Sequence, residues 1–578
     1  MVALGHYYNA QGQSEFRVFA PERHSLAVHL EEGPQRLPMT RQPDGYWTLS
    51  HEHLPAGTLY RFEVDGTAYP DPASRCQPLG VHGPSMVTEI FPARTAGWQG
   101  VTIDDAILYE LHIGTFTPEG TLAAAVHQLP HLQALGITVI ELLPLAAFPG
   151  NRNWGYDGTY HFALHHGYGS YTELQLFIEA AHAHGMAVIL DVVYNHFGPE
   201  GNYSAAFAPY TKQADTPWGA AINFDGAHSA GIRDFYLANT RYWLQEVGFD
   251  GFRMDAVSLI FDNSPRHILR EITELAHSIG VAEGREILMI AEHLNNDVKV
   301  TSQEGYGYHS QWNDDLNHAL FAYLTGETGR HYSSFGSFAD IAKALQDSFV
   351  LDGTRTHHFY QRLWGTDGRQ TAATEHVVHI QNHDQVGNRL HGDRLIASYG
   401  LDKALLAITA IMASPYVPML FMGEEYGETA PFLFFEDFGD ESLVQAVHQG
   451  RKQEFAFGGA EPRDAHDEAA FLDSKLQWSQ LVSDQGQNIF RYYQALIALK
   501  RSGELGPRDK AQIGIASDEK TGLICLQTDS SLTLLNFSAQ TQQLPPGPEW
   551  ELALSSNQPG IHGELPPYSA HVYLRIAE

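Results

Sequence analysis

Eight short apolar runs separated by segments of helix length dominate the middle of this chain. They predict strands at Ile107–Ile113, Thr138–Leu143, Ala187–Val193, Phe249–Val257, Ile287–Ala291, near Ser310–Trp312, at Val377–Gln381 and at Val417–Met422. A strand that is apolar on both faces is buried on both faces, and strands of that kind alternating with helices form a parallel sheet. Eight of them over this length predict a closed (β/α)8 TIM barrel. An open, doubly wound sheet is the alternative, but the glycine-rich phosphate turn it needs after the first strand is missing.

Between the strands the apolar period changes from two to that of a helix. Leu122, Ala125, Val126, Leu129, Leu132 and Leu135 predict one helix stopped by Gly136. Ser170-Tyr171-Thr172-Glu173 is a capping-box pattern, followed by a buried face of Leu174, Phe177, Ile178 and Ala181. Residues 1–95 read differently. Alternating runs such as Glu15–Ala20, Ser25–Leu30, Gly45–Leu49 and Leu59–Val64, with turns close between them, predict an N-terminal β-sandwich. The same grammar returns at Leu523–Leu526, Leu532–Asn536 and Ala570–Leu574. Three domains are therefore expected: a sandwich over 1–95, the catalytic barrel over 96–490 and a small C-terminal β-sandwich over 491–578.

Charge narrows the partners. Sixty-eight acidic side chains against 35 basic ones give −33, which argues against nucleic acid or an anionic membrane and for a neutral partner. No run approaches the roughly 20 apolar residues of a membrane span, and no secretory signal is visible. Cys76 and Cys525 supply neither a disulfide framework nor metal spacing, so a reducing, cytoplasmic setting is expected. The pairs His127/His131 and His161/His165 have helical spacing, but no second ligand cluster accompanies them, and no metal or cofactor is expected.

The strand ends carry the chemistry. In such barrels the active face is built at the C-terminal ends of the strands. Asp191 and His196 follow the third run, Arg253 and Asp255 close the fourth, Glu292 follows the fifth, and His383 and Asp384 the seventh. Taken alone, Arg253 and Asp255 read as a structural ion pair; the other strand ends decide otherwise. Arg253 stands two residues before Asp255, on the same side of the strand, and lowers its pKa. An anionic Asp255 suits a nucleophile for sugar chemistry. Glu292 ends the apolar run Ile287–Ala291, a wall that raises its pKa toward that of a proton donor. Asp384, flanked by His383, is placed to bind ring hydroxyls. Trp154, Tyr156 and Trp218 lie on polar, glycine-rich loops, where stacking on sugar faces is expected. Tyr242 and Trp243 sit at helical spacing with Ile232 and Phe235 and read as packing.

Ile107–Ile113, Asp191–His196, Gly251–Asp255, Ala291-Glu292 and Asn382–Asp384 resemble, in order, the conserved regions of the α-amylase superfamily. The resemblance implies a retaining glycoside hydrolase with Asp255 as nucleophile, Glu292 as acid/base and Asp384 as transition-state stabiliser. It implies that His196, Arg253 and His383 contact the sugar at the −1 subsite, with Tyr156 stacked beneath it. Finer stretches, Pro144–Gly150 leading to Asn153–Gly158, then Pro217–Phe224 and Ile380–Arg389, resemble the members that release free trehalose from a maltooligosyltrehalose. By that resemblance Trp154, Asp157, Asp191, Trp218, His293, Gln385 and Arg389 join the substrate-binding set, the N-terminal sandwich is a carbohydrate-module-like domain, and a maltooligosyltrehalose synthase works alongside. His293 departs from the small or acidic residue usual after the acid/base. Asn195 matches a position that helps bind calcium in many amylases, but no cage of oxygen ligands is recognisable around it. A glycogen branching enzyme or a general α-amylase shares the triad; a catalytically dead scaffold would lack a member of it.

Overall fold

The computed structural model describes residues 3–33, 35–88, 95, 97–455, 461–544, 546–557 and 563–576. Its eight parallel strands are β1 (Leu108–Leu111), β2 (Val139–Leu142), β3 (Ala187–Val192), β4 (Gly251–Met254), β5 (Leu288–Ala291), β6 (Ser310–Trp312), β7 (His376–Val378) and β8 (Val417–Phe421). Each pairs with the next, and β8 returns to β1 with Leu108 beside Met419, so the sheet closes as expected. Every residue of these strands is buried, which is why the sequence shows continuous apolar runs instead of alternation.

Register layers the interior. Leu108, Val139, Ala187, Ile189, Leu288, Ile290, Val377, Val417 and Met419 form one apolar cluster. Two residues further along the strands the same face turns polar: Glu110 stands beside Glu141, and Asp191 beside Arg253. The barrel is thus dry below and charged toward its C-terminal mouth. Strand β4 is shorter than the expected Phe249–Val257, because Ala256 takes a left-handed backbone (φ 39°) and turns the chain out of the sheet.

The helix Tyr171–Ala183 forms with its full capping box. The helix expected over 122–135 is instead two, Leu122–Val126 and Leu129–Leu135, because Pro130 occupies the first turn of the second and cannot continue the first. The N-terminal strands form two antiparallel sheets, one centred on Ser14–Phe19 and the other on Leu59–Val64. Phe16 and Tyr60 meet edge to face across them, 5.1 Å apart. The C-terminal part is a five-stranded antiparallel sheet. Two of its strands, Gly514–Asp518 and Trp550–Ser555, lie at the sheet edges and escaped the sequence because their residues are mostly half-buried or exposed.

A boundary at 490 falls inside the helix Asp484–Arg501, whose Tyr492 hydroxyl is bonded to Thr409 of the helix Leu401–Ala413 at 2.7 Å. That helix continues the barrel's layer, and the C-terminal sheet begins only at Gly514. The boundary expected between 95 and 96 touches positions outside the described residues. Among the described residues no helix is long and apolar enough to cross a membrane.

The floor of the barrel is tied by Asp250, just before β4. Its Oδ1 accepts from Trp98 Nε1 (2.8 Å) and Arg285 Nη1 (2.7 Å), and its Oδ2 from His182 Nε2 and the Val188 amide (both 2.8 Å). Asp250 and Arg285 are buried, so removing the carboxylate takes away the buried anion on Arg285 Nη1 and leaves the guanidinium only Glu283 and the Phe249 carbonyl. Asp250→Ala is expected to cost about 3–5 kcal/mol, read from the shift of the denaturation midpoint, with the active face unaltered in a folded preparation.

Candidate active site

The guanidinium of Arg253 is fully buried at the top of β4. Its Nη1 donates to Asp191 Oδ2 at 2.6 Å and to Asp255 Oδ1 at 2.9 Å, and its Nη2 lies 2.8 Å from Glu292 Oε2. Below, its cation rests on the indole of Trp312, 4.0 Å from the ring centre. Three carboxylates from three strands therefore meet on one cation.

Asp255 is held on both oxygens, since Asn195 Nδ2 donates to Oδ2 at 2.8 Å and also to the Asp255 carbonyl at 3.0 Å. Burial pushes its carboxyl up, while Arg253 and the Asn195 amide pull it down. The expectation that Arg253 alone sets a low pKa is thus incomplete: desolvation of the whole cluster outweighs it. Asn195 faces the carboxylate with its amide nitrogen and hydrogen-bonds His196 with its oxygen. Among the described residues no group of His, Cys, Asp or Glu side chains is arranged to hold a metal ion.

Glu292 stands at the end of β5. The turn at Ala256 aims that residue's N–H at Glu292 Oε2 (2.8 Å), and the next amide, Val257 N–H, donates to the Glu292 carbonyl (2.9 Å). The backbone immediately after Asp255 thereby fixes the second carboxyl. Burial raises Glu292 to about 7; Arg253 opposes, and the charges of Asp255 and Asp384 add to the rise.

Asp384 and His383 come from the loop after β7, where Asn382 caps the short helix His383–Gly387. Asp384 Oδ1 accepts from Asn388 at 3.0 Å and lies 3.6 Å from His383 Nε2. On its other side, His383 meets Glu110 twice, through Nδ1 (2.6 Å) and its backbone N–H (2.9 Å). Burial opposes a charge on this imidazole, but the Asp384 and Glu110 carboxylates outweigh it and raise it to about 9. Tyr156 stacks on the His383 ring (5.0 Å, 18°) and donates its hydroxyl to Asp191 at 2.5 Å. His196 is buried, which lowers it to about 4, and its ring stacks under Trp218 at 5.5 Å. Trp218, on the turn between Thr211–Thr216 and Gly219–Ile222, is half-exposed at the rim.

Trp154 requires a correction. It is buried, donates Nε1–H to the Leu433 carbonyl at 2.8 Å and stacks on Phe432, with its edge against Gly387 and its face perpendicular to His383. It packs against the end of the helix His383–Gly387 that carries Asp384, and its burial leaves no face free for a sugar. Its loop looked empty of core because Phe432 and Phe434 arrive from far along the chain. Asp157 is bonded to Asn153 (2.6 Å), and burial pushes it up to about 6. His293 is half-buried, accepts from the Asn295 amide at 3.3 Å, and is lowered by burial. The Arg389 guanidinium is engaged by Glu327 (3.0 and 3.1 Å) and Asp393 (2.9 Å). Gln385 donates to Asp314 at 3.3 Å.

Four residues here were not singled out from sequence: Glu110, Glu141, Trp312 and Asp314. For the first two a signal existed. A glutamate inside a run that is otherwise apolar, as in Tyr109-Glu110-Leu111 and Ile140-Glu141-Leu142, is buried and so demands a partner or a proton. Glu110 has its imidazolium. Burial and the neighbouring Glu110 charge hold Glu141 well above the carboxylate range.

Comparison with known proteins agrees with this geometry. The α-amylase catalytic domain model matches residues 89–239 and 227–505. A malto-oligosyltrehalose trehalohydrolase of Saccharolobus solfataricus is 42% identical over 86% of this chain and 87% of its own length. The enzyme of that description from Rhizobium sp. (strain M-11) is 40% identical over 97% and 98%. The chain belongs to the malto-oligosyltrehalose trehalohydrolases of the α-amylase family. A crystal structure of an amylase-like protein from Salmonella typhimurium superposes on the whole of both chains with a TM-score of 0.91 at 36% identity.

The paired charges on His383 carry a pH signature. A histidine whose folded pKa lies above its unfolded value of about 6.5 contributes stability that is complete below that value and is lost as pH rises through about 9. Glu110→Gln removes one of the two anions responsible. The variant is expected to be less stable than the parent by on the order of 3 kcal/mol below pH 6.5, with the gap narrowing between pH 6.5 and 9. Denaturation midpoints across that range are the measurement; a gap independent of pH would contradict the assignment.

Proposed function

We propose that Asp255, Glu292 and Asp384 carry the family's reaction in this chain, the retaining hydrolysis of the α-1,4 bond next to a terminal trehalose. The observation that supports this most is the single guanidinium that joins Asp255 to Glu292 at the C-terminal barrel face. Retention requires about 5 Å between nucleophile and acid/base, and the shared guanidinium together with the Ala256 N–H bond to Glu292 supports that close spacing.

The steps follow from the contacts. Asp255 has its negative charge stabilised by Arg253 on one oxygen and by the Asn195 amide on the other, so the proton of the cluster resides on Glu292 near neutrality. Glu292 gives that proton to the glycosidic oxygen while Asp255 attacks the anomeric carbon, and the trehalose end departs. Water enters, Glu292 takes its proton, and the glycosyl–Asp255 ester is hydrolysed. Asp384 hydrogen-bonds the ring hydroxyls with the His383 imidazolium 3.6 Å behind it, and Asp191 with Tyr156 keeps Arg253 oriented. A maltooligosyltrehalose synthase supplies the substrate in this reading, and the two free cysteines fit a reducing cytoplasm.

Asp255→Asn is expected to lower turnover by several orders of magnitude while binding of glucan persists. In Glu292→Gln an activated glycosyl fluoride should still load Asp255, and the covalent ester should accumulate because the second step lacks its base; mass spectrometry of the intact protein reads it directly. Product analysis on maltooligosyltrehalose and plain maltooligosaccharide side by side separates the alternatives. Free trehalose is expected; equal rates on both substrates would indicate a general amylase, and chain transfer without net hydrolysis a branching enzyme. Trp218→Ala should cost more on the trehalose-ended substrate than on the maltose-ended one, since half its indole is presented to the rim.

A further inference from the structure

Asp314 opens the helix Asp314–Thr325 directly after β6, so its carboxyl reaches the barrel face that also receives the ends of β4, β5 and β7. An acid in the first turn of a helix is ordinary, and its neighbour Asp315 shows the ordinary use: buried, with Oδ2 accepting from the Val350 and Leu351 amides at 2.7 Å each. Asp314 is oriented differently. Its Oδ1 accepts from Gln385 Nε2 at 3.3 Å and lies 3.6 Å from Nε2 of the fully buried His379. Its Oδ2 accepts no hydrogen bond among the described residues, and 30% of the side chain is open. Burial, then the charges of Glu292 and Asp384, push it up to about 7. Asp314 thus stands in the field of both the acid/base carboxyl and the ring-binding one, on the strand between theirs.

We propose that Asp314 is a fourth substrate-contacting carboxyl of this site, held at Oδ1 by Gln385 and offering Oδ2 to vicinal pyranose hydroxyls beside the scissile bond. The inference rests on the reading of the site given above. The surroundings select the ligand class. A carboxyl among Glu292, Asp384 and Asp255 repels anions, while a neutral polyol supplies the hydroxyl donors its free oxygen needs. Gln385 is a positioning residue, which gives its amide a role other than direct contact with sugar.

The same placement makes Asp314 part of the field on Glu292, together with Arg253, Asp255 and Asp384 around it and the Ala256 N–H that bonds it. Removing a negative neighbour lets Glu292 lose its proton more easily, so the basic limb of the activity profile moves to lower pH.

The test measures kcat and KM for a maltooligosyltrehalose across pH with the parent, Asp314→Asn, Asp314→Ala, Gln385→Ala and the Asp314→Ala/Gln385→Ala double variant, with Asp384→Asn as the reference for the site itself. Expected are a fall in kcat/KM of about tenfold or more in Asp314→Ala, dominated by KM, and a smaller fall in Asp314→Asn, which keeps an acceptor. Both should shift the basic limb downward by about half a pH unit. Gln385→Ala should reproduce part of the loss and add nothing to Asp314→Ala in the double variant. An unchanged kcat/KM with an unmoved limb in the folded Asp314→Asn protein overturns the proposal; this near-isosteric variant decides alone if Asp314→Ala does not fold. Wild-type turnover in Asp384→Asn would overturn the reading of the site, whereas a dead Asp384→Asn beside normal Asp314 variants overturns only the role of Asp314.

Discussion

One buried cation holds this site together. Arg253 is fully buried, and a guanidinium in that position persists only if anions compensate for its lost hydration. Asp191, Asp255 and Glu292 do so, and Trp312 supplies its π face beneath. The compensation is lopsided: three carboxyls against one cation leave excess negative charge in a poorly solvated place. The cluster relieves that excess by keeping a proton, and the retained proton is what an acid catalyst needs. Burial of the cluster, with the charges of Asp255 and Asp384, raises Glu292 to about 7 against the pull of Arg253, and that is the working range of a proton donor.

Register decides that these groups meet. Parallel pairing sets Asp191 beside Arg253, and the next inward position beyond Arg253 is Asp255. A one-residue slip of β4 would point both side chains outward into the helix layer. The apolar layer below and the Asp250 tie at the floor fix that register from the opposite end. Outside the barrel, close backbone approach does the corresponding work: a Cβ on Gly198 would lie 2.0 Å from the Asp157 carbonyl oxygen, so only glycine lets the loop after β3 meet the loop bearing Tyr156. The N-terminal sandwich is seated in a similar way, with Phe19 filling the space that a side chain at Gly231 would occupy and Tyr46 donating to Asp234 at 2.8 Å.

The barrel was legible in the sequence because burial on both faces leaves no polar alternation to misread, and all eight strands were found where the apolar runs predicted them. The polar strand ends were legible for the same reason, since charge appears abruptly where each run stops. What escaped was long-range. Trp154 looked unsupported because its packing partner Phe432 lies some 280 residues away. Glu110 and Glu141 passed as members of apolar strands: their burial was readable from the runs, but not that Glu110 stands beside Glu141 and faces His383. Asp314 was not singled out, since an acid in the first turn of a helix is common and calls for no partner of its own. Pro130 split a helix whose apolar spacing alone ran straight through it. Pro130 is a local signal that the apolar spacing overrode, whereas for Trp154, Glu110 and Glu141 tertiary context supplied partners that no local pattern shows.

Exposure then separates the groups that hold the site from those that can touch a sugar. Asp191, Arg253, Glu110 and His383 are buried and engaged with one another, so their influence on a ligand is mainly electrostatic. Asp384, with 41% of its side chain open, and the half-exposed Trp218 can make contact. This division has a consequence for specificity. The buried cluster sees only the reacting centre, which is the same α-1,4 bond whether the leaving group ends in trehalose or continues as glucan. Discrimination between those leaving groups, and between water and a glucan hydroxyl as acceptor, has to be made by open side chains at the mouth. Chemistry in this fold is therefore set by the strand ends and selectivity by the loops above them, and a change in one need not disturb the other.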